Sequence, residues 1–168
     1  RKNCVLYFIE EPDLGNISAE PLLSVRPSWS IEFTYEDGPR DCEAVAVDTF
    51  NKKILLLSKR DRPPVLYELP LEIKGSAVAR KLGTIKPLPQ TIEEDEVPSY
   101  AAYPTAMDIS ADGKHIIVLT YNNALYFSRN KSFDWTEDLS GSPKEIVFPP
   151  LPQAESVCFT RDGSGIYI

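Results

Sequence analysis

The amino-acid sequence predicts an all-β fold, a β-propeller built of four-stranded blades, with about three blades' worth of strands in its 168 residues. Three observations predict it: a hairpin motif that recurs three times without gaps, two further strand motifs that follow at matching spacing, and a near absence of helix signals.

The hairpin comes first. Residues 43–57, Glu43-Ala-Val-Ala-Val-Asp-Thr-Phe-Asn-Lys-Lys-Ile-Leu-Leu-Leu, lie without gaps on Thr105-Ala-Met-Asp-Ile-Ser-Ala-Asp-Gly-Lys-His-Ile-Ile-Val-Leu and on Glu155-Ser-Val-Cys-Phe-Thr-Arg-Asp-Gly-Ser-Gly-Ile-Tyr-Ile. Each copy alternates apolar and polar residues, turns, and continues into a second apolar segment. The pairs Asp112-Gly113 and Asp162-Gly163 predict two-residue hairpin loops. Segments 44–47, 106–109 and 156–159 are therefore expected as the innermost strands of successive blades.

A third strand follows in Val5-Leu6-Tyr7-Phe8, Val65-Leu66-Tyr67-Glu68 and Ala124-Leu125-Tyr126-Phe127. Tyr7, Tyr67 and Tyr126 share one position in this motif, so their rings are expected to be buried between blades. The fourth strand is expected at Leu22-Leu23-Ser24-Val25-Arg26-Pro27, at Leu82-Gly83-Thr84-Ile85-Lys86-Pro87 and, more loosely, at Lys144-Glu145-Ile146-Val147-Phe148-Pro149, each stopped by proline. The 15 prolines of the chain also break any helix that might start between strands.

Counting strands divides the chain into the second half of a blade (1–40), two whole blades (41–102 and 103–152) and the first half of another (153–168). Propellers close with about four to eight blades, so this count predicts a single segment of a larger propeller.

Composition narrows the partners. With 42% hydrophobic and 26% charged residues the chain is an ordinary globular sequence, and 18 Lys plus Arg against 25 Asp plus Glu give a net charge of −7. That balance disfavours a phosphate backbone or an anionic membrane and leaves a cation, a sugar or another protein. No apolar run approaches the length of about 20 residues that a membrane helix needs. The three cysteines lack metal-binding spacing; Cys158 reads as a buried small hydrophobe in an alternating strand, and Cys4 and Cys42 could pair in an oxidising compartment.

Asp41-Cys-Glu-Ala-Val-Ala-Val-Asp48, Ile54-Leu-Leu-Leu-Ser-Lys-Arg60, Ala106-Met-Asp-Ile-Ser-Ala-Asp-Gly-Lys114 and Glu155-Ser-Val-Cys-Phe-Thr-Arg-Asp-Gly163 resemble bacterial β-propeller repeat proteins of uncharacterised function, loosely akin to the WD40, YVTN and NHL repeat groups. In such proteins a blade's first strand often opens Asp-x-Glu-Ala-Leu-Ala-Val-Asp, and the following hairpin carries Ser-Pro-Asp-Gly, here Ser110-Ala-Asp-Gly113. The chain departs from the WD40 pattern in lacking a closing Trp-Asp pair and the Gly-His that precedes it. The resemblance implies a periplasmic or extracellular location and leaves function open.

Candidate site residues follow from the repeat. Glu43, Thr105 and Glu155 stand at equivalent starts of first strands, with Asp41 two residues before Glu43, on the face where propeller sites usually lie. Asp41, Glu43 and Glu155 are the candidate metal ligands, for Ca²⁺ above all, since converging carboxylates repel unless a cation lies among them. The bland alternative is that these side chains bond backbone amides or face water. Glu93-Glu94-Asp95-Glu96 and Lys59-Arg60-Asp61-Arg62 belong to loops on that same face, either as ligand contacts or as solvated loops. His115, the single histidine, reads as a surface hairpin residue on the opposite face. Trp29, Tyr100, Tyr103, Phe133 and Trp135 could form a sugar-stacking platform or pack between blades.

Two functions fit. One is a non-catalytic propeller module that recognises a protein, small-molecule or carbohydrate ligand at its channel face. The other, by architectural resemblance, is a calcium-dependent propeller hydrolase of the lactonase or phytase type.

Overall fold

The computed structural model describes residues 3–12, 24–72, 74–85, 99–130, 134–149, 151 and 153–168. Among the described residues the architecture is all-β apart from one short helix and one 3₁₀ turn. The calls at Glu93–Glu96, Phe133, Leu22, Leu23, Lys86 and Pro87 lie outside these residues, as does the side chain of Tyr100.

Strand β1 (Cys4–Phe8) runs antiparallel to β2 (Trp29–Tyr35). Strands β3 (Cys42–Asp48), β4 (Lys53–Ser58), β5 (Val65–Pro70) and β6 (Gly75–Thr84) follow as an antiparallel meander. A second meander consists of β7 (Pro104–Ile109), β8 (His115–Thr120), β9 (Ala124–Ser128) and β10 (Lys144–Ile146). The pair β11 (Cys158–Phe159) and β12 (Ile166–Tyr167) ends the chain.

The ten residues of β6 do two jobs. Gly75–Ala79 pairs parallel with β2, whereas Arg80–Thr84 pairs antiparallel with β5, giving one curled sheet in the order β1-β2-β6-β5-β4-β3. The curl brings Ile31, Phe33 and Tyr35 of β2 against Ile54, Leu56 and Tyr67 in one buried cluster. Alternation explains the arrangement: residues two apart on a strand share a face, so Ile54 and Leu56 point toward β2 while Leu55 and Leu57 point the other way.

Leu55 and Leu57 meet Ile116, Val118 and Leu125 of the second meander, and the first strands β3 and β7 lie alongside each other. On its far face the second meander turns Ile117 and Leu119 toward Ala154 and Val157, next to β11. β11 also touches β7. Facing is alike in the two meanders at two positions: Ala44 and Ala106 both face the unit that follows, and Val45 and Met107 both face the unit that precedes.

The third-strand motif does not keep that register. Leu56 pairs with Tyr67, but its equivalent Val118 pairs with Leu125, so Tyr67 corresponds to Leu125 and Tyr126 corresponds to Glu68. The cause is the connection before the strand, residues 59–64 in one unit and 121–123 in the other. A slip of one residue sends a side chain to the opposite face. Tyr67 is fully buried, Tyr126 is half-buried and Tyr7 is 64% exposed, so the expectation that all three rings are buried holds for Tyr67 and is corrected for Tyr7.

Three further local expectations are corrected. The hairpin loops hold four residues, not two: Gly113 N donates to Ser110 O at 2.8 Å and Gly163 N to Thr160 O at 2.9 Å, while Ser110 and Thr160 bond His115 and Gly165. Gly113 and Gly163 sit at φ +68° and +70°, a conformation that glycine adopts without strain. Residues 24–27 carry no strand, and the partner of β1 is instead Trp29–Tyr35. Helix α1 (Trp135–Ser140) was not expected; Asp134 caps it by accepting from Thr136 N at 2.8 Å, and Glu137 and Asp138 place negative charge in its first turn.

Candidate functional site

At the end of the meanders where β3 begins, the structure joins side chains from successive units. β4 ends at Ser58, and Lys59 follows with its side chain almost fully buried. Its ammonium is ion-paired to Glu43 and donates to the Tyr121 hydroxyl at 3.1 Å. The Tyr121 hydroxyl in turn donates to Glu155 Oε1 at 3.3 Å. Glu43 and Glu155, which the repeat places at equivalent positions, are therefore linked through a lysine and a tyrosine.

Burial opposes a charge on Lys59, but hydrogen bonds and charge attraction from Glu43 and Tyr121 outweigh it and hold the ammonium above its ordinary pKa range. Asp41 stands apart from this chain. Its Oδ2 lies 2.5 Å from Arg60 Nε, and its backbone carbonyl accepts from Lys59 N at 2.8 Å, fixing the start of β3 to the end of β4. Arg60 and Arg62 both lie over the Tyr103 ring, at 5.9 and 5.3 Å from its centroid.

Thr105, the third equivalent position, is buried rather than exposed at this end. Its hydroxyl bonds the Ala154 carbonyl at 2.6 Å and so ties β7 to the residue before Glu155. Asp108 Oδ2 accepts from Phe159 N at 2.8 Å further along the same boundary.

The cation facing Glu43 is thus the protein's own lysine, and the one facing Asp41 is its own arginine. Among the described residues no group of three or more His, Cys, Asp or Glu side chains is placed to hold a metal ion. Sequence reasoning put Lys59 and Arg60 on this face but missed their pairing with Glu43 and Asp41. The signal was present: in adjacent antiparallel strands, residues just before one and just after the other are neighbours.

The opposite end of the units is held by a buried network. Asp48 Oδ2 accepts from Trp135 Nε1 and from Arg129 at 2.7 Å each, and Asn51 donates to both carboxylate oxygens. Burial raises the Asp48 carboxyl, but these donors and the Arg129 charge outweigh it and hold the group below its usual range. Arg129 also lies over the Trp135 ring and donates to Gly113 O, so one carboxylate anchors a turn of the first meander to two elements of the second.

His115 stacks on Tyr126 at this end, beside a groove of about 470 Å³ that includes Phe159 and Arg161. Among the described residues the aromatics do not share one platform: Trp29 stacks on Phe8 with centroids 3.5 Å apart, Trp135 is buried on Asp48, and Tyr103 lies beneath the arginines at the other end.

No protein-family model matches the chain, and comparisons with curated proteins and with solved structures return no match. No helix among the described residues is long and apolar enough to cross a membrane.

Proposed function

We propose that the chain is β-propeller material and serves as a non-catalytic binding module. Its recognition surface is the end of the units that carries Asp41, Glu43, Lys59, Arg60, Tyr121 and Glu155. The observation that carries this reading is the linkage Glu43 to Lys59 to Tyr121 to Glu155, which gathers residues of consecutive units onto one face. Packing of β3 alongside β7, with β11 next to β7, supports the propeller arrangement.

The chemistry of the face favours a partner that offers carboxylates. Arg60, with a side chain 66% exposed, and Arg62 are exposed cations of this face, and the Tyr103 ring beneath them restricts their freedom. Guanidinium groups held in this way bind carboxylates in a fixed fork. Asp41, Glu43 and Glu155 lie in contact with Arg60, Lys59 and Tyr121 respectively, so their role is to position these groups. The resemblance to exported bacterial propellers makes the periplasm or the extracellular space the expected location.

Titrating the ¹⁵N-labelled chain with an octaglutamate peptide tests the proposal. Amide shifts are expected at residues 59–62, 103 and 121, weakened at least tenfold in the Arg60→Ala/Arg62→Ala variant. Shifts confined to another face, or none, would overturn it. Calcium chloride forms a second arm: saturable shifts at Asp41, Glu43 and Glu155 would support the calcium-dependent hydrolase instead.

A further inference from the structure

We propose that Cys4 and Cys42 form an oxidisable thiol pair whose disulfide ties β1 to β3. Cys4 lies opposite Phe33 on β2, and Tyr35, two residues on, shares the face of Phe33, with the two rings edge to face at 5.5 Å. Cys42 opens β3, its thiol donating to Ala44 O at 3.5 Å, and Tyr35 belongs to the buried cluster against which it packs. Both cysteines pack against the same buried cluster. Both also line one cavity of about 540 Å³, together with Tyr35, Asp41 and Glu43. The third cysteine, Cys158, was expected to be buried but is exposed in the two-residue strand β11, and it does not belong to this cavity.

Both thiols line this cavity, through which an external disulfide such as oxidised glutathione presents its sulfurs to them. Burial pushes the Cys42 thiol up to about 11, with Cys4 and Asp41 adding to the effect, so Cys42 reacts second. The Cys4 thiolate attacks one sulfur of the external disulfide, breaking its S–S bond, joining one half to Cys4 and releasing the other as a thiolate. Cys42, losing its proton to solvent, then attacks the Cys4 sulfur and expels the second thiolate. One external disulfide is reduced to two thiols as the two protein thiols are oxidised to one disulfide. Cys42 lies between Asp41 and Glu43, at the point where the β3–β4 register shifts, so the bond closes on the strand start that carries the candidate site. The inference holds whether or not that site binds a partner.

The test treats the full chain with oxidised glutathione in mildly alkaline buffer and then alkylates it under denaturing conditions. The expected product carries one group at Cys158, alkyl or glutathionyl, with neither alkyl nor glutathionyl on Cys4 and Cys42, and in a Cys158→Ser chain its mass is lower by two hydrogens. A digest should yield a single linked peptide pair containing Cys4 and Cys42, and the melting temperature should rise and fall back with dithiothreitol. A Cys158→Ser chain should behave the same way, and Cys4→Ser or Cys42→Ser should abolish the shift in melting temperature. Three alkylated thiols, separate glutathione adducts on Cys4 and Cys42, or disulfides only through Cys158 would each overturn the proposal.

Discussion

The Lys59 ammonium and the Tyr121 hydroxyl stand 3.1 Å apart although 62 residues of chain separate them. Each residue directly follows the second strand of its meander, β4 or β8. Contact between them is what side-by-side packing of two repeated units requires at that end, just as Asp48 with Arg129 and Trp135 is what it requires at the other.

Replacing Lys59 with Met keeps most of the side chain's length and removes its charge. A cost of about 1 to 2 kcal/mol is expected in denaturant melts, kept small because Glu43 is 41% exposed and solvent screens the pair. The folded-state pKa of Lys59 is raised, so its contribution is present below the ordinary lysine range and is lost as pH rises through the folded value. The wild type should therefore lose stability more steeply than Lys59→Met on the alkaline limb.

Asp48 acts at the acid end. Its side chain and that of Arg129 are 1% and 2% exposed, so Asp48→Asn, which removes the charge facing the guanidinium, should cost about 3 to 5 kcal/mol. With its folded pKa depressed, the carboxylate contributes stability above the ordinary Asp range and loses it as pH falls through the folded value. Below about pH 4 the wild type should lose stability with a steeper slope than the variant.

Tyr67 and Tyr7 separate the observed register from the repeat motif. Tyr67→Ala should cost about 3 to 5 kcal/mol, as for other large core aromatics. Tyr7→Ala should fall within about 0.5 kcal/mol of wild type, because its ring is exposed. Equal losses at both sites, measured by urea unfolding, would show that the two share one environment.

How far the fold was legible depended on which interval stayed constant. The hairpins beginning at Glu43, Thr105 and Glu155 were readable because strand, turn and strand keep one length in every copy, so faces as well as elements could be matched. The third strand lost its face because residues 59–64 and 121–123 differ in length, which the Leu-Tyr motif conceals. Helix α1 was marked by Asp134 before it and Gly141 after it, but it spans only six residues, too short for an apolar period to show. At the candidate site the carboxylates were found from their repeated spacing. Lys59 was within reach of the same reasoning, since β3 and β4 are adjacent, but Tyr121 was hidden because pairing across units depends on packing rather than on spacing along the chain.

A double-mutant cycle on Lys59 and Tyr121 tests most directly whether consecutive units meet at this face. Unfolding free energies of wild type, Lys59→Met, Tyr121→Phe and the double variant give the coupling between two side chains far apart in sequence. The account predicts a coupling of about 1 kcal/mol, the size of a charge-assisted hydrogen bond that is partly shielded from water. Additivity to within about 0.3 kcal/mol would contradict it, since residues that do not touch have nothing to couple.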